Sequence, residues 1–424
     1  MAYAGDAPKE SFRLSMLIYD TRFRSITIQV IVLILFALFV SWILNNTVQN
    51  LAAKDRGFSY DFLWNRAGYD ISQRLIDYTN DDTHARALLV GLLNTLLLAF
   101  FGCIFATIIG VFAGVLRLSN NWLVARIMTV YVEVFRNVPV LLWILLAYVV
   151  LSETMPEPKD FKVTEAMIAA GEQPKAHMFF GSIALTNRGT NIPEPLFDRS
   201  LGNIDLGIFL VSIDLLAIIA VLVASFVAWR RLNRHAHVVQ DATGVRPVTW
   251  WKSLLIWVLP IVALLWALGF HLGYPTFKGF NFTGGINVAH AFTSLLIALS
   301  FYTGAFIAEI VRAGIMAIPK GQTEAAYALG LRPGRTTSLV ILPQALRVII
   351  PPLISQYLNL TKNTSLAIAV SYMDLRGTLG GVTLNQTGKE LECMLLMMLI
   401  YLTISLIISG VMNIYNNAVK LKER

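Results

Sequence analysis

The sequence predicts an all-α fold: a polytopic membrane protein of about eight transmembrane helices. Three observations predict it. Of the 424 residues, 56% are hydrophobic and 14% charged, against about 25% charged in soluble domains. Apolar runs of about 20 residues recur along the chain, the length at which a helix crosses a bilayer. The positive charge, a net +8, falls in short segments between those runs. It therefore reads as membrane topology and not as a nucleic-acid surface. Cys103 and Cys393 both lie in apolar segments, which excludes a disulfide framework or a CxxC site.

The first run covers 26–46. It follows 25 mostly polar residues without the layout of a cleaved signal peptide, so it is expected to be retained. Further runs cover 88–115, 128–151, 206–228, 253–272, 290–313, 350–371 and 391–414. Lys and Arg gather before the first run (Lys9, Arg13, Arg22, Arg24), after the fourth (Arg230, Arg231, Arg234, Arg246, Lys252), after the sixth (Lys320, Arg332, Arg335) and at the end (Lys420, Lys422, Arg424). With eight spans all of these share one side. Cytoplasmic loops carry the excess of Lys and Arg, so both termini are expected to be cytoplasmic. The loops at 47–87 and 152–205 then lie opposite. Their mixed charge fits a solvated linker or small cap, or a docking surface for an external partner.

Two segments carry proline at telling positions. Arg136-Asn137-Val138-Pro139 is expected where the third helix enters the membrane, with Pro139 in a first turn or kink. Ser338–Ile350 is apolar but holds Pro343, Gln344 and Arg347, which suggests an interfacial helix. The seventh span would then begin near Pro351, a residue tolerated in a first turn. That choice places Lys362 and Asn363 near the bilayer centre.

Polar residues inside spans are the candidates for function. A charge at the membrane centre costs roughly 2.5–3.5 kcal/mol on insertion scales, so such groups face a bundle interior or a pathway. Glu309 and Arg312 are three apart on one helical face, as a local pair or as part of a pocket. Lys362, Asn363, Thr364 and Ser365 run consecutively, so only part of them can face one cavity. Tyr302 and Thr303 add hydroxyls. An amino acid carries an ammonium and a carboxylate and needs both acceptors and donors; Glu309 with Lys362, Asn363 and Thr364 supplies both. No residues suggest catalysis or a metal site. His235 and His237 lie in a basic loop, and 330–337 lacks the Gly-Lys-Ser/Thr ending of a phosphate loop.

The polar segment after the sixth span is the most specific feature. Ala325, Ala326 and Ala328 are strong helix formers, and Gly330 can end their helix in a left-handed turn. Glu324-Ala325-Ala326, then Gly330, Val340 and Leu342-Pro343, match the pattern EAA-x3-G-x9-I-x-LP with Val in the Ile position. Gly91-Leu92-Leu93-Asn94-Thr95-Leu96, the 136–139 segment, Ser300–Gly314 and Lys362–Leu366 accompany it. Together they resemble permease subunits of ATP-binding-cassette importers of the polar amino acid uptake family. The resemblance covers about 88–151 and 288–416. The length and the extra spans look like the larger permeases of general L-amino acid uptake systems.

The resemblance implies a type I importer permease core in two parts, 88–151 and 288–424, with a coupling loop at 313–337. Segment 1–87 then adds the first helix and an outer loop, and 152–287 is an insertion of one outer loop and two more spans. It implies a bacterial inner-membrane location and alternating access for polar L-amino acids. Gly321, Gln322, Glu324, Ala325, Ala326, Leu329 and Gly330 would seat on an ATPase subunit, which holds the ATP and Mg; this chain would bind no cofactor. The implied partners are two such ATPases, a second permease of different sequence, a periplasmic amino-acid-binding protein and membrane lipid. Arg136, Pro139 and Arg312 would have structural or gating roles. Asn363 stands where many members have Asp, which removes a negative charge and leaves the charge preference open. An ion-coupled secondary transporter using Glu309 and Lys362, or a non-transporting scaffold, is the competing reading. The spacing of the EAA segment argues against both.

Overall fold

A computed structural model describes residues 21–53, 57–162, 173–205 and 210–419. Lys9, Arg13, Lys420, Lys422 and Arg424 lie outside the described residues. The chain divides into two units, Met1–Phe62 and Leu63–Arg424. In the first, helix α1 (Thr21–Ala53) exposes apolar side chains on every face, among them Leu33, Phe36, Leu38 and Trp42. A helix apolar all round is stable when lipid replaces water around it.

The second unit is built on α2 (His84–Leu116) and α7 (His290–Met316). They run in the same direction, with Leu98 near Leu295 at one end and Gly114 on Ala308 and Val311 at the other. Small residues bring the backbones together, as expected where lipid offers no hydrophobic drive for association. A Cβ on Gly110 would stand 2.9 Å from the Gly304 carbonyl oxygen. Around this pair pack α3 (Trp122–Asn137), α4 (Val140–Glu153) and α9 (Leu342–Asn363), and α10 (Glu390–Val419) packs on α9. Helices α5 (Ile213–Thr243) and α6 (Trp250–Ala267) pack chiefly on each other, and no residue of α6 is buried.

The expected third span is broken. Helices α3 and α4 meet at 106° across Val138-Pro139. Proline disfavours the α region for the residue before it, and Val138 is extended at φ −102°, ψ 135°. Pro139 then caps α4. The pair together makes one crossing, because it carries the chain from the far end of α2 to Pro158–Phe161, which packs on Phe282 among the strands. Counted so, eight segments of the described chain are long and apolar enough to cross a membrane.

The seventh span also differs from expectation. Pro351 and Pro352 lie inside α9, which runs unbroken from Leu342 after a wide π turn at Thr337–Ile341. There is no separate interfacial helix over 338–350. Ala345 and Ile349, before the prolines, and Leu360, after them, all join the cluster of Ile307 and Val311. That shared burial keeps one axis despite the missing proline N–H groups.

The fold is mostly helical, as expected, but the outer segments are not bare linkers. Strands β1 (Ala184–Thr186), β2 (Gly189–Ile192) and β9 (Ile286–Val288) form an antiparallel sheet. Strand β3 (Glu194–Phe197) pairs with β6 (Phe270–Gly273), joining the two sides of the α5–α6 hairpin. Hairpins β4–β5 (Asn203–Asp205, Leu210–Ser212) and β7–β8 (Thr276–Lys278, Asn281–Thr283) complete the layer. This layer lies at the N-terminal end of α7. The short helix α8 (Lys320–Ala328) follows the other end.

Candidate functional site

Helix α8 closes as its sequence suggests. Gly330 has φ +76°. Leu331 N–H donates to the Ala326 carbonyl at 3.1 Å and Gly330 N–H to that of Tyr327 at 2.9 Å. These are both bonds of a Schellman turn, which a residue without Cβ adopts most readily. Ala326 is buried against the protein, while Gly321, Gln322, Glu324, Ala325 and Leu329 are exposed, Leu329 at 82%. Among the described residues the Glu324 carboxylate has no hydrogen-bond or ion-pair partner. The helix thus presents an anion and a large apolar side chain outward on a tightly closed turn.

A cavity of about 350 Å³ opens between α7 and α9, lined by Tyr302, Thr303, Phe306, Gln356, Asn359, Lys362 and Asn363. Gln356, Asn359 and Asn363 recur at helical spacing, and so place three carboxamides on one side of α9. Among the described residues the side chains of Gln356, Asn359, Lys362 and Asn363 make no hydrogen bond. The opposite side of α9 is anchored: Tyr357 hydroxyl bonds Thr107 Oγ1 of α2 at 2.7 Å.

Of the expected pathway residues, the structure gathers Tyr302, Thr303, Lys362 and Asn363 here. Thr364 and Ser365 are not part of the lining. Each hydroxyl turns back to backbone, Thr364 to the Thr361 carbonyl and Ser365 to that of Lys362, both at 2.8 Å. Asn363 ends α9, and a 3-10 segment over Thr364–Val370 turns the following side chains elsewhere.

Glu309 is also absent from the lining. Its Oε1 accepts from Arg312 Nη2 at 2.6 Å, and its Oε2 accepts from Arg117 at the end of α2. Arg136 Nη1 lies 3.9 Å from Oε2. The pairing with Arg312 is thus present. Arg136 lies at the α3–α4 corner, over the Phe306 ring at 5.3 Å, while its neighbour Phe135 stacks on Trp143 and Phe301. Phe306 is ten residues from the C-terminal end of α7, roughly 15 Å along the axis.

Several residues that position the site were not among the expected site residues. Asp374 is fully buried; its Oδ1 accepts from Gly377 N–H at 2.8 Å and its Oδ2 from Tyr401 hydroxyl at 3.3 Å. Asn94 Nδ2 donates to the carbonyls of Gln73 and Met373, and Thr95 Oγ1 accepts from Leu375 N–H. These bonds tie the irregular 371–388 segment to α2, satisfying backbone that lipid cannot. Gln356 and Asn359 were legible only as polar residues in an apolar run.

Comparison with known proteins places this arrangement. Residues 106–421 match the family described as binding-protein-dependent transport system inner membrane component. The chain is 70% identical to the glutamate/glutamine/aspartate/asparagine transport system permease protein BztB of Rhodobacter capsulatus, over the full length of both. It is 45% identical to the general L-amino acid transport system permease protein AapQ of Rhizobium johnstonii, over 98% of this chain and 96% of that one. It is 41% identical to the putative amino-acid ABC transporter permease protein YhdX of Escherichia coli, over 93% and 94%. The chain therefore belongs to the inner membrane components of binding-protein-dependent transport systems, as a permease subunit and not an enzyme.

Proposed function

We propose that this permease passes polar L-amino acids inward by alternating access, and that the α7–α9 cavity is where the cargo rests. The observation that carries this is the unpartnered polar lining. In a membrane chain, polar side chains without protein partners need water, a ligand or another subunit. Lys362 offers a cation for the α-carboxylate. The three carboxamides each have a donor and an acceptor end, so they can meet a side-chain carboxylate or a side-chain amide. The lining holds no carboxylate of its own, which disfavours cationic cargo. The relatives named for glutamate, glutamine, aspartate and asparagine fit this chemistry.

In this reading α8 docks on a cytoplasmic ATPase that binds ATP and Mg, and the strand layer faces the binding protein. Both termini are then cytoplasmic. A second permease, of different sequence, completes the pathway opposite the cavity. Exposed Glu324 and Leu329 support the docking role: one can take a charge-assisted bond and the other can fill an apolar groove.

The test is uptake by the assembled transporter in vesicles. Lys362→Ala is expected to raise the KM for L-glutamate about tenfold, the loss of a charge-assisted bond. An unchanged KM would remove the cavity from the pathway.

A further inference from the structure

We infer that Arg117, Arg136 and Arg312 form a second oxyanion site, one helical turn inward of the cavity, which takes the cargo's carboxylate as it leaves. The inference rests on the cargo reading above. Tyr302, Phe306 and Glu309 follow at spacings of four and three on α7, so they share one stripe of that helix. Phe306 lines the cavity, and Arg136 lies across its ring. The cluster thus stands directly behind the inner wall of the cargo site.

Its charge does not close. Three guanidinium cations face one carboxylate, which leaves two positive charges uncompensated. Glu309 already accepts from Arg117 and twice from Arg312. Donors remain on all three arginines. Arg117 Nε is buried without a partner. Arg312 Nη1 donates to the Met316 thioether sulfur at 3.0 Å, a weak acceptor. Arg136 lies 3.9 Å from Glu309, beyond hydrogen-bond reach. A buried cationic donor left unmade is costly, and an incoming carboxylate would complete it with paired, charge-assisted bonds.

Position makes the site useful to a transporter. Lys362 lines the cavity together with Phe306, and Arg136 lies over the Phe306 ring, so a carboxylate can pass from one cation to the other. Arg136 is in the last turn of α3 at the 106° corner, so motion of the corner moves the guanidinium. Glu309 competes for the same donors, which keeps the site weak enough to release.

Arg136→Gln tests this, because it leaves both hydrogen-bonded arginines on Glu309. The assembled transporter would be placed in phosphatidylcholine vesicles and in vesicles that also contain phosphatidylglycerol, with L-glutamate as cargo. In both, the maximal rate is expected to fall about tenfold while KM stays within about twofold, and Arg136→Lys should regain part of the rate. An unchanged maximal rate, with the thermal midpoint also unchanged, overturns the proposal. So does a loss confined to the phosphatidylglycerol vesicles, which would assign the site to a lipid phosphate. Lys362→Ala separates the two readings. If it raises KM while Arg136→Gln is silent, the cavity stands and only this inference fails. If it is silent too, the cargo reading fails with it.

Discussion

Gln344 Nε2 donates to Gln322 Oε1 at 3.3 Å, joining the first turn of α9 to the first turn of α8. It links the exposed helix to one that forms a wall of the cavity. Gln344 also bonds the Val340 carbonyl at 3.0 Å, in the wide turn between the two helices. Movement of α8 therefore has a direct polar route into α9. Gln344→Ala is expected to lower uptake per ATP hydrolysed by about threefold, the worth of one net hydrogen bond. Simultaneous assay of ATPase rate and uptake reads this; a constant ratio would show that packing alone carries the motion.

Gly330 sets the end of α8. Ala there must hold φ near +76°, at a cost of about 1–2 kcal/mol. Asn, which tolerates that region, should be milder. Open space surrounds Gly330, so any difference between the two variants reports backbone strain and not a clash. Hydrogen exchange over 320–331 should quicken more in Gly330→Ala than in Gly330→Asn. Equal exchange would mean that the turn is held by something other than glycine's freedom.

Gly110 sets the approach of α2 to α7. Gly110→Leu drives a side chain into Ile307 and the Gly304 carbonyl. Overpacking of this kind costs about 1–3 kcal/mol, and the thermal midpoint in detergent should fall. Gly410 of α10 meets nothing within 4 Å. Gly410→Leu is the control and should leave the midpoint in place.

Asn359 tests the charge rule of the cavity. Asn359→Asp adds an anion to a lining that has none. L-glutamate uptake is expected to drop about tenfold more than L-glutamine uptake, from like-charge repulsion in a partly dewatered site. Equal losses for both cargoes would show that Asn359 is not read by the side chain.

Asp374 holds the segment after the 3-10 turn. Asp374→Ala removes the acceptor for Gly377 N–H and one partner of the Tyr401 hydroxyl. Each buried group left unpaired costs about 1–3 kcal/mol. Lower yield and a lower thermal midpoint are expected, with Asp374→Asn retaining part of both. Wild-type stability in Asp374→Ala would show that Thr95 and Asn94 suffice to hold the segment.

Much of this was readable from residue order because it depends on local chemistry. Apolar runs demand lipid, so the helices and their number followed from length and composition. Ala325, Ala326 and Gly330 make a closed helix by propensity and backbone freedom, and the spacing to Leu342-Pro343 carried its family. The pairing of Glu309 with Arg312 needed only helical geometry.

Other features required distant partners. Pro139 bends its span and Pro351 does not, although both are prolines in apolar runs. The difference is tertiary: Ala345, Ile349 and Leu360 hold both halves of α9 on the same cluster, whereas α3 and α4 bury on α7 from different directions. Arg117 and Arg136, remote in sequence, took Glu309 out of the cavity. Gln356 and Asn359 entered it because Tyr357, on the opposite side of α9, is fastened to Thr107. The sequence by itself determined that this chain crosses a membrane as helices, carries a short polar helix closed by Gly330 and belongs to the permeases of importers. Which polar groups line the cavity was decided only in the folded bundle, because a helix's rotation is set by what packs on its other side.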